Sequence, residues 1–303
     1  MELRERYDAV LCDLWGVVHN GQKPFASAVR ALSAFRASGG RVILLTNVPK
    51  PRHPIPRQLD RIGVARDVWD VIVTSGDAIR GELAARAPGP MHLIGPRSDS
   101  VLWDGLGMQL APLEQSAFLG VTGLDDFDAD EPEHYRERLA RARELELEMV
   151  CANPDIVVRL GERLHWCAGV LARDFEALGG RVIMAGKPHA PIYALALREL
   201  ERLLDRPIDR TRILAIGDGI GTDMRGANRE QLDALFIASG IHRDELHDDG
   251  PLDLAEPGRK AVELIDHDAD IGGRNLGIGG RIAPERDTRD CIRSSERHGA
   301  IIP

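Results

Sequence analysis

A chain of 303 residues is long enough for two modest domains with sizeable cores. Its 43% hydrophobic and 29% charged residues are ordinary for a globular protein, and a net charge of −9 argues against nucleic acid as a partner. Cys12, Cys151, Cys167 and Cys291 show neither metal-ligand spacing nor a disulfide framework, no apolar run could span a bilayer, and MELRERYDAV lacks a signal-peptide pattern, so a cytoplasmic protein is expected, without a membrane partner.

Ala9 to Cys12 is a short apolar run, the mark of a strand buried on both faces, and it stops at Asp13. A carboxylate at the end of a buried strand is costly unless a cation or hydrogen bonds compensate it. Ser27–Ser38 has helical periodicity and Gly39–Gly40 ends it. Arg41–Leu45 predicts a second buried strand that delivers Thr46 and Asn47. A helix over Pro56–Arg61, a strand over Val68–Thr74 and a helix through Ala85 complete an alternation typical of a doubly wound parallel sheet.

A second unit is expected from about Gly89. Met91–Gly95, Ala117–Leu124 and Met149–Ala152 predict strands, Glu133–Glu148 an amphipathic helix, and Ala168–Leu178 a helix stopped by Gly179–Gly180. The first pattern then resumes. A strand over Arg181–Ala185 ends at Gly186-Lys187-Pro188, and a helix covers Ala190–Leu204. A strand over Arg212–Ile216 ends at Gly217-Asp218, a short helix spans Asp223–Arg229, and Ala234–Ala238 is expected as the last core strand. The expected divisions are a core in two parts, 1–88 and 181–265, an inserted domain, 89–180, and a Gly-, Arg- and Asp-rich tail, 266–303, that buries too little to be ordered.

The strand ends thus supply Asp13, Thr46 with Asn47, Lys187, and Asp218 with Asp223. In one parallel sheet these ends open on one edge, where they can converge. The set suits phosphoryl transfer: a carboxylate attacks phosphorus, acidic groups hold Mg²⁺, the Thr hydroxyl and Asn amide bind phosphate oxygens, and the Lys neutralises developing charge. Each residue also has a plainer reading, Asp218 as a helix cap and Lys187 as a loop lysine among them.

DLWGVVHNG, LLTN, GKPHAPIY and GDGIGTD resemble the four motifs of the haloacid dehalogenase superfamily, and their order and spacing are similar to its class IIA, NagD-like branch. TSGDA, ANPD (Ala152–Asp155) and GAN fit the same branch. The resemblance implies a Rossmann-like core with an inserted α/β C2-type cap, Mg²⁺ as cofactor, and a small phosphorylated metabolite as substrate. It makes Asp13 the nucleophile and a metal ligand, with the Trp15 carbonyl and Asp218 as further ligands. Asp223 orients a metal water or Lys187, Thr46 and Asn47 hold the phosphoryl oxygens, and Lys187 pairs with Asp13 and the phosphate. A homodimer is left open.

One position departs from that pattern. The family's phosphatases usually carry a second Asp two residues after the nucleophile, as general acid for the leaving alcohol; here it is Trp15. Losing a general acid costs about 10² to 10⁴ in rate, or about 3–5 kcal/mol of barrier, mostly for poor leaving groups. His19, in the same loop, is a candidate replacement. Two alternatives therefore stand beside a phosphatase: a phosphometabolite-binding protein with weakened turnover, and an enzyme for substrates needing no acid, such as acyl phosphates, phosphonates or haloacids.

Overall fold

A computed structural model of the protein describes residues 3–243 and the backbone of 262–265. In chain order the strands among these residues are β1 (Ala9–Cys12), β2 (Arg41–Thr46), β3 (Val71–Thr74), β4 (Met91–Ile94), β5 (Phe118–Val121) and β6 (Glu148–Cys151). They continue with β7 (Val157–Leu160), β8 (Arg163–Trp166), β9 (Val182–Met184), β10 (Ile213–Gly217), β11 (Asp233–Ile237) and β12 (Val262–Ile265). The fold is α/β and Rossmann-like, with two parallel sheets flanked by helices.

The first sheet runs β12-β11-β10-β1-β2-β3, all parallel. Side chains of β1 alternate between its two faces: Val10 and Cys12 pack with Leu32, Phe35 and Leu44, whereas Ala9 and Leu11 pack with Ile192, Tyr193 and Phe236. Both faces are covered, which is why β1 reads as an unbroken apolar run. From β1 the chain steps through β2 and β3 to one side, and later through β10, β11 and β12 to the other. The order therefore reverses between β1 and β10, and a crevice opens at their carboxyl ends. Asp13 follows β1, Asp218 follows β10, and the Asp13 N–H donates to the Ile216 carbonyl at 2.8 Å.

The second sheet, β4-β5-β6-β9, is also parallel and lies between β3 and β10 in the chain. The expected strand over 181–185 belongs here: Val182–Met184 pair with Met149–Cys151. The helix Ala168–Ala177 is the crossover from β6 to that strand, and such a connection returns a strand parallel to its predecessor. The expected break at residue 181 therefore falls inside the second sheet, and Lys187 leaves an edge strand of that sheet rather than a strand of the first.

Three other expectations change. The helix predicted over Glu133–Glu148 is a short turn, Pro132–Tyr135, followed by a helix, Arg136–Glu144; Glu146 then takes a left-handed conformation (φ 55°) and Glu148 opens β6. There Glu148 is held by Arg86 and Arg181. An antiparallel hairpin, β7–β8, occupies a stretch with no expected element. Finally, β11 is not the last strand of its sheet, because β12 pairs beyond it. The tail expected over 266–303 lies outside the described residues.

Candidate active site

Four loops meet at the crevice. Asp13 and Asp218 stand at adjacent strand ends, while Asp223 lies on a single π-turn, Ile220–Met224, that continues into the helix Arg225–Arg229. Carboxylate oxygens of Asp13, Asp218 and Asp223 lie within 4.8 Å of one another, and all three residues are buried. Lys187, 2% exposed, sends its ammonium between two of them, donating to Asp13 Oδ1 at 2.6 Å and to Asp223 Oδ1 at 2.7 Å.

Three buried carboxylates facing one ammonium leave an excess of negative charge. Burial pushes the Asp13 carboxyl up; Lys187 opposes this, and Asp223 and Asp218 reinforce it. Burial, then Asp223, raise Asp218 to about 7, against the Ile241 N–H that donates to its Oδ2 at 2.8 Å. Burial alone would lower Lys187, but Asp13, Asp223 and Asp155 together hold it well above its usual value. Crowded like charges with hard oxygen donors are what a divalent cation relieves. The residues present therefore fit the metal that the motifs imply.

Glycines make the cluster compact. A Cβ on Gly16 would meet Asp218 Oδ2 at 1.8 Å, and one on Gly240 would meet the same oxygen at 2.2 Å. Gly16 also has φ +76°, so both space and backbone call for glycine there. The Trp15 carbonyl is left out of the small bridge in this loop, whose bonds run from Gly16 N to His19 O (2.9 Å) and from His19 N to Leu14 O (3.1 Å).

Thr46 and Asn47 are both buried beside the cluster, but they differ. The Thr46 hydroxyl accepts only a long bond from Val48 N, 3.3 Å, and can turn to a ligand. The Asn47 side chain is fully engaged: its Nδ2 donates to Asp155 Oδ1 (2.8 Å) and to the Lys187 carbonyl (3.1 Å), and its Oδ1 accepts from Lys187 N (2.7 Å). The expectation that this amide holds a phosphoryl oxygen is therefore revised. Its side chain positions Lys187 and ties the first sheet to the second, leaving only its backbone N–H for a ligand.

His19 does not fill the gap left at Trp15. It is buried, its Nδ1 accepts from the Gly21 N–H at 2.9 Å, and burial lowers its pKa to about 4. At neutral pH it is an uncharged structural ring packed edge-on to Trp15, with centroids 5.0 Å apart. Trp15 itself lies against the hairpin, since a Cβ on Gly21 would stand 2.5 Å from both Trp15 Cζ3 and Leu160 Cδ1. The hairpin tip also bonds the first-sheet loops directly, through Gly161 N to Asn20 O (3.1 Å) and through the Arg243–Glu162 ion pair. Among the described residues no helix is long and apolar enough to cross a membrane.

Comparison with known proteins agrees with this geometry. Residues 10–109 match a family model described as haloacid dehalogenase-like hydrolase, and residues 184–261 one described as HAD-hydrolase-like. No curated protein matches the chain. A haloacid dehalogenase-like hydrolase from Brucella suis 1330 is 46% identical over 79% of this chain and 92% of its own, with a TM-score of 0.77. A glycerol phosphate phosphatase from Mycobacterium tuberculosis, solved with magnesium, is 22% identical over 87% of this chain and 76% of its own (TM-score 0.62). A putative nagD protein is 18% identical over 86% and 96% (TM-score 0.64). The chain belongs to the haloacid dehalogenase-like hydrolases, with the fold of the NagD-like branch.

Proposed function

We propose that the protein is a Mg²⁺-dependent phosphatase of a small phosphorylated metabolite, working through a phosphorylated Asp13. The observation that carries this reading is the cluster at the crevice, where three buried carboxylates converge and two of them share one ammonium at hydrogen-bond distance. Asp13 and Asp218, with the Trp15 carbonyl, would hold the ion, and Asp223 would keep Lys187 in place. Bound there, Mg²⁺ supplies positive charge that lets an anionic phosphate approach a carboxylate nucleophile.

The chain's own residues do the rest. Asp13 attacks phosphorus and displaces the leaving oxygen, which splits one difficult hydrolysis into two easier steps. Thr46 Oγ1, the Asn47 N–H and the Lys187 ammonium bind the phosphoryl oxygens as charge moves onto them. The second sheet and its hairpin cover the crevice and exclude water. Residues 89–185 form the cap of this reading and 266–303 a tail outside it; a cytoplasmic location and a homodimer remain parts of the proposal. The phosphatase names of relatives that share the fold support the reaction class.

A panel of aryl, acyl and alkyl phosphates assayed with Mg²⁺ tests the proposal. Turnover that disappears in Asp13→Asn is the expected result. A folded protein that binds phosphate compounds but turns over none of the panel would favour the binding-protein alternative, for which the aromatic Trp15 at the acid position is the motivating feature.

A further inference from the structure

We propose that Asp155, reaching in from the second sheet, is the catalytic acid that replaces the carboxyl missing at position 15. The inference rests on the phosphatase reading above. Asp155 follows β6, and its backbone N–H donates to the Asn153 side chain at 3.0 Å, which fixes the turn that presents it. Its Oδ1 accepts from Asn47 Nδ2, one residue from Thr46, and Asn47 also clasps both backbone polar groups of Lys187. The carboxyl thus reaches the phosphate-binding residues from the second sheet, and in the proposed role it is aimed at the leaving oxygen, across the phosphorus from Asp13.

Its partners distinguish it from a structural aspartate. Among the described residues Asp155 forms no ion pair and its Oδ2 takes no hydrogen bond, so the carboxyl, though mostly buried, keeps one oxygen free to face a ligand. The charged groups acting on it are Lys187 and Asp223 from the first-sheet side, while the thiols of Cys151 and Cys167 on its own side are pushed up and stay neutral where it titrates. Burial outweighs Lys187 and the Asn47 bond, with Asp223 adding to it, and lifts the carboxyl to about 6. A carboxylic acid in that range is still partly protonated near neutral pH, as a general acid must be.

The step balances. As the Asp13 oxygen bonds to phosphorus and the bond from phosphorus to the leaving oxygen breaks, the Asp155 proton passes to that oxygen, giving the neutral alcohol. In the second step water attacks the phosphorylated Asp13, its proton returns to the Asp155 carboxylate, and the Asp13–phosphorus bond breaks, releasing inorganic phosphate.

The test uses full-length protein with Mg²⁺ and a series running from 4-nitrophenyl phosphate to alkyl phosphates. In the wild type, kcat/KM for alkyl phosphates should fall as pH rises through about 6, while the aryl substrate shows no such limb. Asp155→Asn, which still offers an oxygen to Asn47, should lose about 10²-fold or more on alkyl phosphates and less than about 10-fold on the aryl one. Equal losses across the series, no loss, identical pH profiles in the wild type, or turnover of aryl but not alkyl phosphates would each overturn the assignment while leaving the phosphatase reading intact. Absence of all phosphatase activity would overturn both. The wild-type pH comparison decides the matter even if the variant does not fold.

Discussion

Strand β1 has an aspartate at each end, and the two have opposite surroundings. Asp8, just before the strand, is enclosed by three guanidinium groups: Arg4 at 2.7 Å, Arg206 at 2.8 Å, and Arg212 through a bidentate pair at 2.8 and 2.9 Å. The Arg212 bonds, outweighing burial and helped by Arg206 and Arg4, hold its carboxyl far below the usual range. Asp13, just after the strand, shares one ammonium with Asp223 beside a third carboxylate, and its carboxyl is pushed up. The amino ends of two other strands of the sheet repeat the first arrangement, with Asp70 before β3 paired to Arg36 and Arg41, and Asp233 of β11 held by Arg6 and Tyr7. One edge of the sheet carries carboxylates matched by guanidinium groups, and the other carries an excess of carboxylate that a proton or a cation relieves. The contrast separates charge-matched aspartates from crowded ones, the candidates for chemistry, without reference to any motif.

The contrast can be tested from both ends. The largest effect is expected at Asp13: Asp13→Asn should lower kcat by about 10⁴-fold or more, because the proposed nucleophile is lost, while the melting temperature holds or rises as like-charge crowding eases. A variant with near-normal turnover would refute the role of that edge. Next comes Lys187→Met, which strands buried carboxylates; in metal-free protein it should cost about 3–5 kcal/mol in denaturant unfolding. A smaller loss would mean that water already reaches the cluster.

Mg²⁺ should act on one edge only. In metal-free protein the raised Asp218 binds its proton more tightly folded than unfolded, so its contribution to stability is present at low pH. That contribution is lost as pH climbs from the ordinary carboxylate value through about 7. Mg²⁺ at a hundred times its dissociation constant should restore about 2.7 kcal/mol at neutral pH, and calorimetry of wild type against Asp218→Asn should show the gain in the former alone. The smallest effect belongs to the far edge. Asp8→Asn should cost about 1–2 kcal/mol, since its arginines are partly exposed, and leave kcat unchanged. The sign with pH is reversed there: Asp8 contributes above the ordinary carboxylate range, and that stability disappears as pH falls below it.

The two edges were unequally legible in the sequence. Asp13 and Asp218 could be placed because a polar residue that abruptly ends an apolar run marks the carboxyl end of a buried strand, and strand order then brings such ends together. The Asp8 cage leaves no such trace, since its arginines lie at 4, 206 and 212 and only the fold makes them neighbours. Val182–Met184 reads the same in either sheet, because an apolar run records burial but not its partner, so the origin of Lys187 was misplaced. The β7–β8 hairpin did leave a signal, two four-residue runs around Gly161-Glu162, with Gly161 at φ +60°. Its alternation is weak, because most of these positions are only half-covered. Asp155 was visible only as part of ANPD; its bond to Asn47 depends on the two sheets facing each other.

The origin of Lys187 has a practical corollary for protein engineering. Because the lysine sits just beyond the edge strand of the second sheet, its backbone clasped by Asn47, a graft that exchanges the covering domain between relatives at residues 89 and 181 would separate an edge strand from its own sheet. The loop that aims the lysine would then hang from a foreign partner. Cutting after Pro188 instead would carry strand, lysine and clasp across as one cassette, with Asn47 as the socket that receives it.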